Sequence, residues 1–236
     1  MALLCFFQKV RRFFVLWALA CVVCLGHASS LMSWNELTYH TLLDNQQWEV
    51  LFQTHARFIP GNRQPLQQMI QRNIIGYVLN PELTLDAGYD FNPSMNPLGN
   101  DAVFEHRLLQ QVQWAAIDKD NYALALRSRL EERTRVDARG VQLRFRQRFA
   151  LTLAHLFVLV PERSTPIVYD EVFFNATHTP WSSPGLIDQN RLFVGYWFYL
   201  GKHATLELGY LHQYLPRGNA SVQQHIASCA LRFVDF

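Results

Sequence analysis

Residues 122–151 read YALALRSRLEERTRVDARGVQLRFRQRFAL, and the alternation inside this stretch decides the fold. One set of positions carries Arg127, Arg129, Glu131 and Arg133, then Arg144, Arg146 and Arg148. The other carries Tyr122, Leu124, Leu126 and Leu130, then Val141, Leu143, Phe145, Phe149 and Leu151. Successive strand side chains point to opposite faces, so a period of two predicts two strands. The turn between them is expected at Asp137-Ala138-Arg139-Gly140. An apolar face backed by a charged one is the pattern of a membrane barrel wall, with lipid outside and a polar lumen within. A turn that pairs Val136 with Val141 would set Glu131 opposite Arg146 and diagonal to Arg144 and Arg148.

Working outward, the same alternation recurs. Trp48, Val50, Phe52, Ala56 and Phe58 share one face of a strand over 47–58, against Glu49, Gln53, His55 and Arg57. Further strands are predicted over 67–79, 82–91, 103–114, 166–175, 188–200, 204–214 and 222–236, with a first candidate at 36–43. The run Leu156-Phe157-Val158-Leu159-Val160 is apolar on both faces and has no assignment. The raw count is eleven strands, whereas single-chain bacterial barrels have even numbers, so either 36–43 lies outside the wall, giving ten, or the 153–165 region hides one more. Pro, Gly and Asn clusters place long loops at 59–65, 92–101, 176–187 and 215–221. Short turns fall at 44–46, 80–81, 118–121 and 201–202. Short periplasmic turns and longer outer loops belong to this class of barrel.

An internal repeat supports hairpin architecture. Arg72, Gly76 and Tyr77 have the spacing of Arg191, Gly195 and Tyr196. Each set is followed by Thr-Leu-acid-x-Gly-Tyr, at Thr84–Tyr89 and Thr205–Tyr210. The tyrosines fall on the apolar face, where an aromatic girdle sits. The glycines fall on the polar face, where they should give arginine side chains room to cross.

The chain's first residues read as an export signal. Lys9, Arg11 and Arg12 precede a 13-residue apolar run, Phe13–Leu25, shorter than the roughly 20 residues of a spanning helix. Gly26-His27-Ala28 offers small residues for cleavage after Ala28. Cleavage would leave Cys229 as the one cysteine, so no intramolecular disulfide is expected. It would also leave 18 basic residues against 19 acidic ones, a net charge of −1 that gives no reason to expect nucleic-acid binding. Sixteen of those 18 are arginines, with only Lys119 and Lys202 as lysines. Arginine is favoured where cations are packed, partly dehydrated and held in a fork by carboxylates, which suits an enclosed lumen.

Several short motifs resemble a family of Gram-negative outer-membrane barrels known as domain of unknown function 2490. They are the Trp48 strand ending in Arg57, the Gly-Tyr pairs, Leu130-Glu131-Glu132-Arg133 with the arginine strand after it, Asp170-Glu171-Val172-Phe173, Asn190-Arg191-Leu192 and Glu207-Leu208-Gly209-Tyr210. The resemblance covers nearly all of residues 29–236 and implies fold and location. It brings no catalytic residues with it. Leu231, Phe233 and the terminal Phe236 also resemble the signal read by the bacterial barrel-assembly machinery.

The expectation is therefore an all-β protein of the Gram-negative outer membrane. Residues 1–28 are its signal peptide, and residues 29–236 form one transmembrane antiparallel β-barrel of about twelve strands, with ten as the alternative. A lumen charge cluster is expected from Glu105, Arg107, Arg127, Arg129, Glu131, Arg144, Arg146, Arg148, Arg191 and Glu207. Its plainest reading is a salt-bridge network filling a narrow lumen, since unpaired buried charges are expensive. A small anion-preferring pore is the alternative, motivated by the excess of arginine. Membrane lipid, the assembly machinery and small anionic solutes are the partners in view. The histidines show no metal-ligand spacing and no cofactor is expected. A non-enzyme is expected too, although catalytic triads are spatial and a lipid-modifying enzyme is compatible with the sequence. A soluble secreted β-barrel, with the apolar face turned inward, is the remaining alternative.

Overall fold

The structure, a computed structural model, describes residues 31–43, 47–61, 65–95, 102–154, 156–217 and 220–235. The signal peptide expected at residues 1–28, the turn expected at 44–46 and Phe236 lie outside them. Eleven strands form one closed barrel: β1 (Leu31–Leu43), β2 (Trp48–Phe58), β3 (Leu66–Asn80), β4 (Leu83–Met95), β5 (Ala102–Asp118), β6 (Ala123–Arg135), β7 (Ala138–Thr152), β8 (Ser164–Asn175), β9 (Ile187–Tyr199), β10 (Ala204–Arg217) and β11 (Ala220–Asp235). Each is at least as long as the roughly 9–11 tilted residues that cross a bilayer. Consecutive strands pair antiparallel, and β1 closes on β11 in parallel, Leu37 beside Leu231.

The count corrects the expectation of twelve strands, or ten. The first candidate strand belongs to the wall, and the described residues between β7 and β8 supply no further one. Between β7 and β8 the chain makes turns, with Phe157 and Glu162 in the left-handed region at φ 56° and 60°. Leu156, Phe157 and Leu159 are exposed there, and the Tyr196 hydroxyl donates to the Phe157 carbonyl at 3.0 Å. With every hairpin antiparallel, an odd count forces the closing pair to be parallel.

The connections divide between two rims. At the lower rim lie those following β1, β3, β5, β7 and β9. At the upper rim lie those following β2, β4, β6, β8 and β10. The loop expected at 215–221 is a two-residue connection, because β10 runs to Arg217 and β11 starts at Ala220. The loop expected from Asn92 likewise starts only after Met95.

Alternation sorts the side chains into a lumen face and an outer face. Arg129, Glu131, Arg144 and Arg146 point inward and are almost fully buried. Leu85, Leu108, Phe145, Val194 and Tyr210 point outward and are exposed. The outer face is not wholly apolar. Ser128 lies beside Gln147 and donates to it at 2.6 Å, and Asn190 donates to Asp170 at 2.7 Å, so these polar groups satisfy one another across strands.

The glycines of the internal repeat lie inward, but arginines do not fill the space they leave. A Cβ on Gly76 would strike the carboxyl groups of Asp86 and Glu49, and one on Gly195 or Gly209 would strike the Phe193 ring. Gly195 and Gly209 are cross-strand partners, so the ring lies over a paired gap in the wall. Phe193 anchors an inward apolar cluster with Ile167, Tyr169, Leu211 and Ile226.

Candidate functional site

The β6–β7 hairpin turns at Val136-Asp137, two residues before the expected turn, and its ladder shifts between Arg133 and Arg135. That displacement sets Glu131 opposite Arg144 and Arg129 opposite Arg146, correcting the register inferred from sequence. Glu131 is completely buried. Its Oε2 accepts from Arg144 Nε at 2.9 Å and its Oε1 from Arg146 Nη1 at 2.5 Å. Arg129 Nη1 lies 3.8 Å away. Arg144 also donates to Asp188 at 2.8 Å, and Arg146 to Glu171 at 2.9 Å. Arg127 reaches the same Glu171 oxygen at 2.7 Å. Charges removed from water this thoroughly persist only when paired, and Glu131 and Glu171 each have three guanidiniums within 4.0 Å.

A second set of pairs runs along β3 to β6. Arg72 holds Asp90 through a two-pronged pair, both bonds 2.7 Å. Glu105 receives Arg107 at 2.5 Å and Arg133 at 2.6 Å. Phe173 on β8 is fully buried, with the guanidinium carbons of Arg146, Arg191 and Arg144, from the two flanking strands, at 4.3, 4.6 and 5.1 Å from its ring centre. Below it, the Phe193 cluster takes up the interior on the β8–β11 side, flanked by Trp34 and Trp197.

Above the ladders a cavity of about 590 Å³ opens towards the upper rim. Trp181, Ser182 and Ser183 of the β8–β9 loop line it, as do Arg57, Arg133 and Arg191. Trp181 donates to the Arg139 carbonyl at 3.3 Å, and the guanidiniums of Arg133 and Arg135 lie 5.3 and 5.6 Å from its ring centre.

Of the ten charged residues expected in the lumen, eight interlock: Glu105 with Arg107, and Glu131 and Glu171 with Arg127, Arg129, Arg144, Arg146 and Arg191. Glu207 stands apart and accepts from Trp197 Nε1 at 2.6 Å. Arg148 stacks on Tyr169 at 3.7 Å and reaches no carboxylate among the described residues. Sequence reading left out Arg72 and Asp90, Glu171, Asp188 and the stacking rings Trp34 and Phe173. Glu171 was recoverable, because it shares its strand face with Phe173 and Asn175. Asp188 was not, because its partner Arg144 lies two strands away. No group of three metal-ligating side chains converges among the described residues.

A closed all-β barrel with an apolar exterior and a charged interior is an outer-membrane-type barrel. Residues 31–224 match the model of the family described as "Protein of unknown function (DUF2490)", and the chain belongs to that family. An uncharacterized protein of Methylorubrum extorquens is 26% identical over 209 residues, covering 86% of this chain and 90% of the relative. Among solved structures, the chain is similar to the NanC porin, with a TM-score of 0.52 and 11% identity over 84% of this chain and 92% of the other. LpxR from Salmonella typhimurium gives a TM-score of 0.48 and 9% identity over 80% and 83%.

Proposed function

We propose that residues 29–236, freed of a signal peptide at residues 1–28, insert into the outer membrane of a Gram-negative bacterium as a barrel closed by its own side chains. Its role is then structural rather than conducting or catalytic. The observation that carries this reading is the complete burial of Glu131 between Arg144 and Arg146 at the middle of the lumen. An aqueous channel passing that point would leave the carboxylate wet. Leu231 and Phe233, which share the outer face of β11, together with Phe236 would present the strand that the assembly machinery reads.

One observation favours a second reading, a small anion-preferring pore. Arginines outnumber acids around the upper cavity, and rings of cationic side chains select anions. Planar-bilayer recording of the folded, detergent-purified protein separates the two. The closed barrel gives a silent bilayer, whereas steady channels with anion preference would replace it by the pore. Fatty-acid release from phospholipid added to the same preparation would make the protein an enzyme instead.

A further inference from the structure

Not every arginine around the upper cavity has a counter-charge. Glu105 and Asp188, the carboxylates that reach the cavity, are already engaged by Arg107 and Arg133 and by Arg144. Arg57 has no carboxylate within 4.0 Å among the described residues, and its Nη1 donates only to the Gln68 amide oxygen, at 2.6 Å. Arg191 comes no nearer than 4.0 Å to Glu171, a carboxylate that Arg127 and Arg146 already occupy. The two guanidiniums share one indole: Arg57 lies 3.9 Å and Arg191 4.8 Å from the ring centre of Trp34. The Nε atoms of Arg57, Arg191 and Arg146 are buried without a hydrogen-bond partner, and all three residues line the cavity.

Two like charges gathered on one aromatic ring and partly withdrawn from water are costly, and stacking on the indole offsets only part of that cost. An anion bound between them would complete the arrangement. Guanidinium forks match the oxygens of tetrahedral oxyanions, and several forks around one space favour a doubly charged anion. The cavity is far larger than one such group and lies within the range of small-molecule sites, roughly 300–1,000 Å³. Trp181 at its mouth supplies a flat face of the kind a sugar ring packs against.

We infer that the upper cavity is a binding site for a phosphate monoester carried on a sugar-sized group, with Arg57 and Arg191 holding the phosphate. The same chemistry is offered by a soluble sugar phosphate and by a phosphorylated glycolipid headgroup. This inference is independent of whether the lumen conducts, which the bilayer recording reads separately.

Calorimetric titration of the refolded barrel in amine-oxide micelles tests it, with three phosphate probes: glucose 1-phosphate, inorganic phosphate, and micelles doped with a monophosphorylated disaccharide lipid. Saturable binding of glucose 1-phosphate and none of glucose is expected. Arg57→Gln and Arg191→Gln should each weaken it at least tenfold, while Arg163→Gln, at the lower rim, should leave it unchanged. Because Arg57→Gln removes an uncompensated charge, the unliganded variant should unfold at the same temperature as the parent or higher. A purely structural arginine would instead lower that temperature. Should the glutamine variants fail to refold, Arg57→Lys and Arg191→Lys replace them, and weakened binding is again expected because the fork is lost. Binding of the doped micelles alone would support the site and assign the phosphate to a lipid headgroup. No saturable binding of any of the three phosphate probes, or affinity unchanged in the arginine variants, would overturn the proposal.

Discussion

Glu131 concentrates the logic of the interior in one side chain. It sits at 0% exposure, and Arg144, Arg146 and Arg129 converge on its two oxygens. Glu131→Gln keeps the shape and removes the charge, leaving guanidiniums with too little negative charge around them. Loss of one partner from a buried pair costs about 3–5 kcal/mol, whereas a wet, screened pair costs about 0–1 kcal/mol. Urea unfolding of the variant in micelles should show the larger figure, and a near-neutral result would mean that water reaches the site. That Glu131 faces inward was legible from alternation alone. Its partner was not, since the displaced turn and the irregularity between Arg133 and Arg135 together exchange Arg146 for Arg144 as the residue opposite. Sequence also misjudged what the inward glycines are for. Space beside Gly195 and Gly209 is taken by a ring from the neighbouring position Phe193, a contact that periodicity does not reveal.

Strand positions were mostly legible, because each element buries one face and exposes the other. Proline is where the reading failed. Pro93, Pro166 and Pro216 were read as marking loops or a strand's first residue, yet all three lie inside ladders. Each sits where only one of its two neighbouring strands is in register. Pro93 pairs with Phe104 while the ladder to β3 skips it; Pro166 pairs with Tyr196 just before the β7 ladder begins; and Pro216 pairs with Ser221 beyond the end of the β9 ladder. A residue without a donor is tolerated where no acceptor faces it. The closing seam is the element least visible in sequence, since no local pattern distinguishes parallel from antiparallel closure. Spin labels at positions 37 and 231, in a Cys229→Ala background, should broaden each other's spectra, because the two residues are direct partners across β1 and β11. Spectra that are the simple sum of the two single labels would rule out this closure.

At the scale of the whole molecule, the exposed apolar exterior is a surface that suits a bilayer. Val194, midway along β9 and 51% exposed on the outer face, is well placed to report this. Val194→Arg should cost about 2–4 kcal/mol in bilayers if it lies near the midplane. Cysteines placed at 85 and 194 should resist a membrane-impermeant thiol reagent in intact vesicles, and ready labelling would invert the assignment of faces. The barrel wall was readable because every strand repeats the same two-sided pattern. The paired sites inside were not, because their partners come from strands far apart in sequence. The parallel seam has one more consequence. In a barrel with an even number of strands, the beginning of the first and the end of the last share a rim, so a short peptide could join them and the chain could be reopened at another hairpin. Here Leu31 stands at one rim and Asp235 at the other. Any peptide joining them would have to run the full height of the barrel, along its wall or through its interior, so this barrel admits no circular permutant made with a short linker.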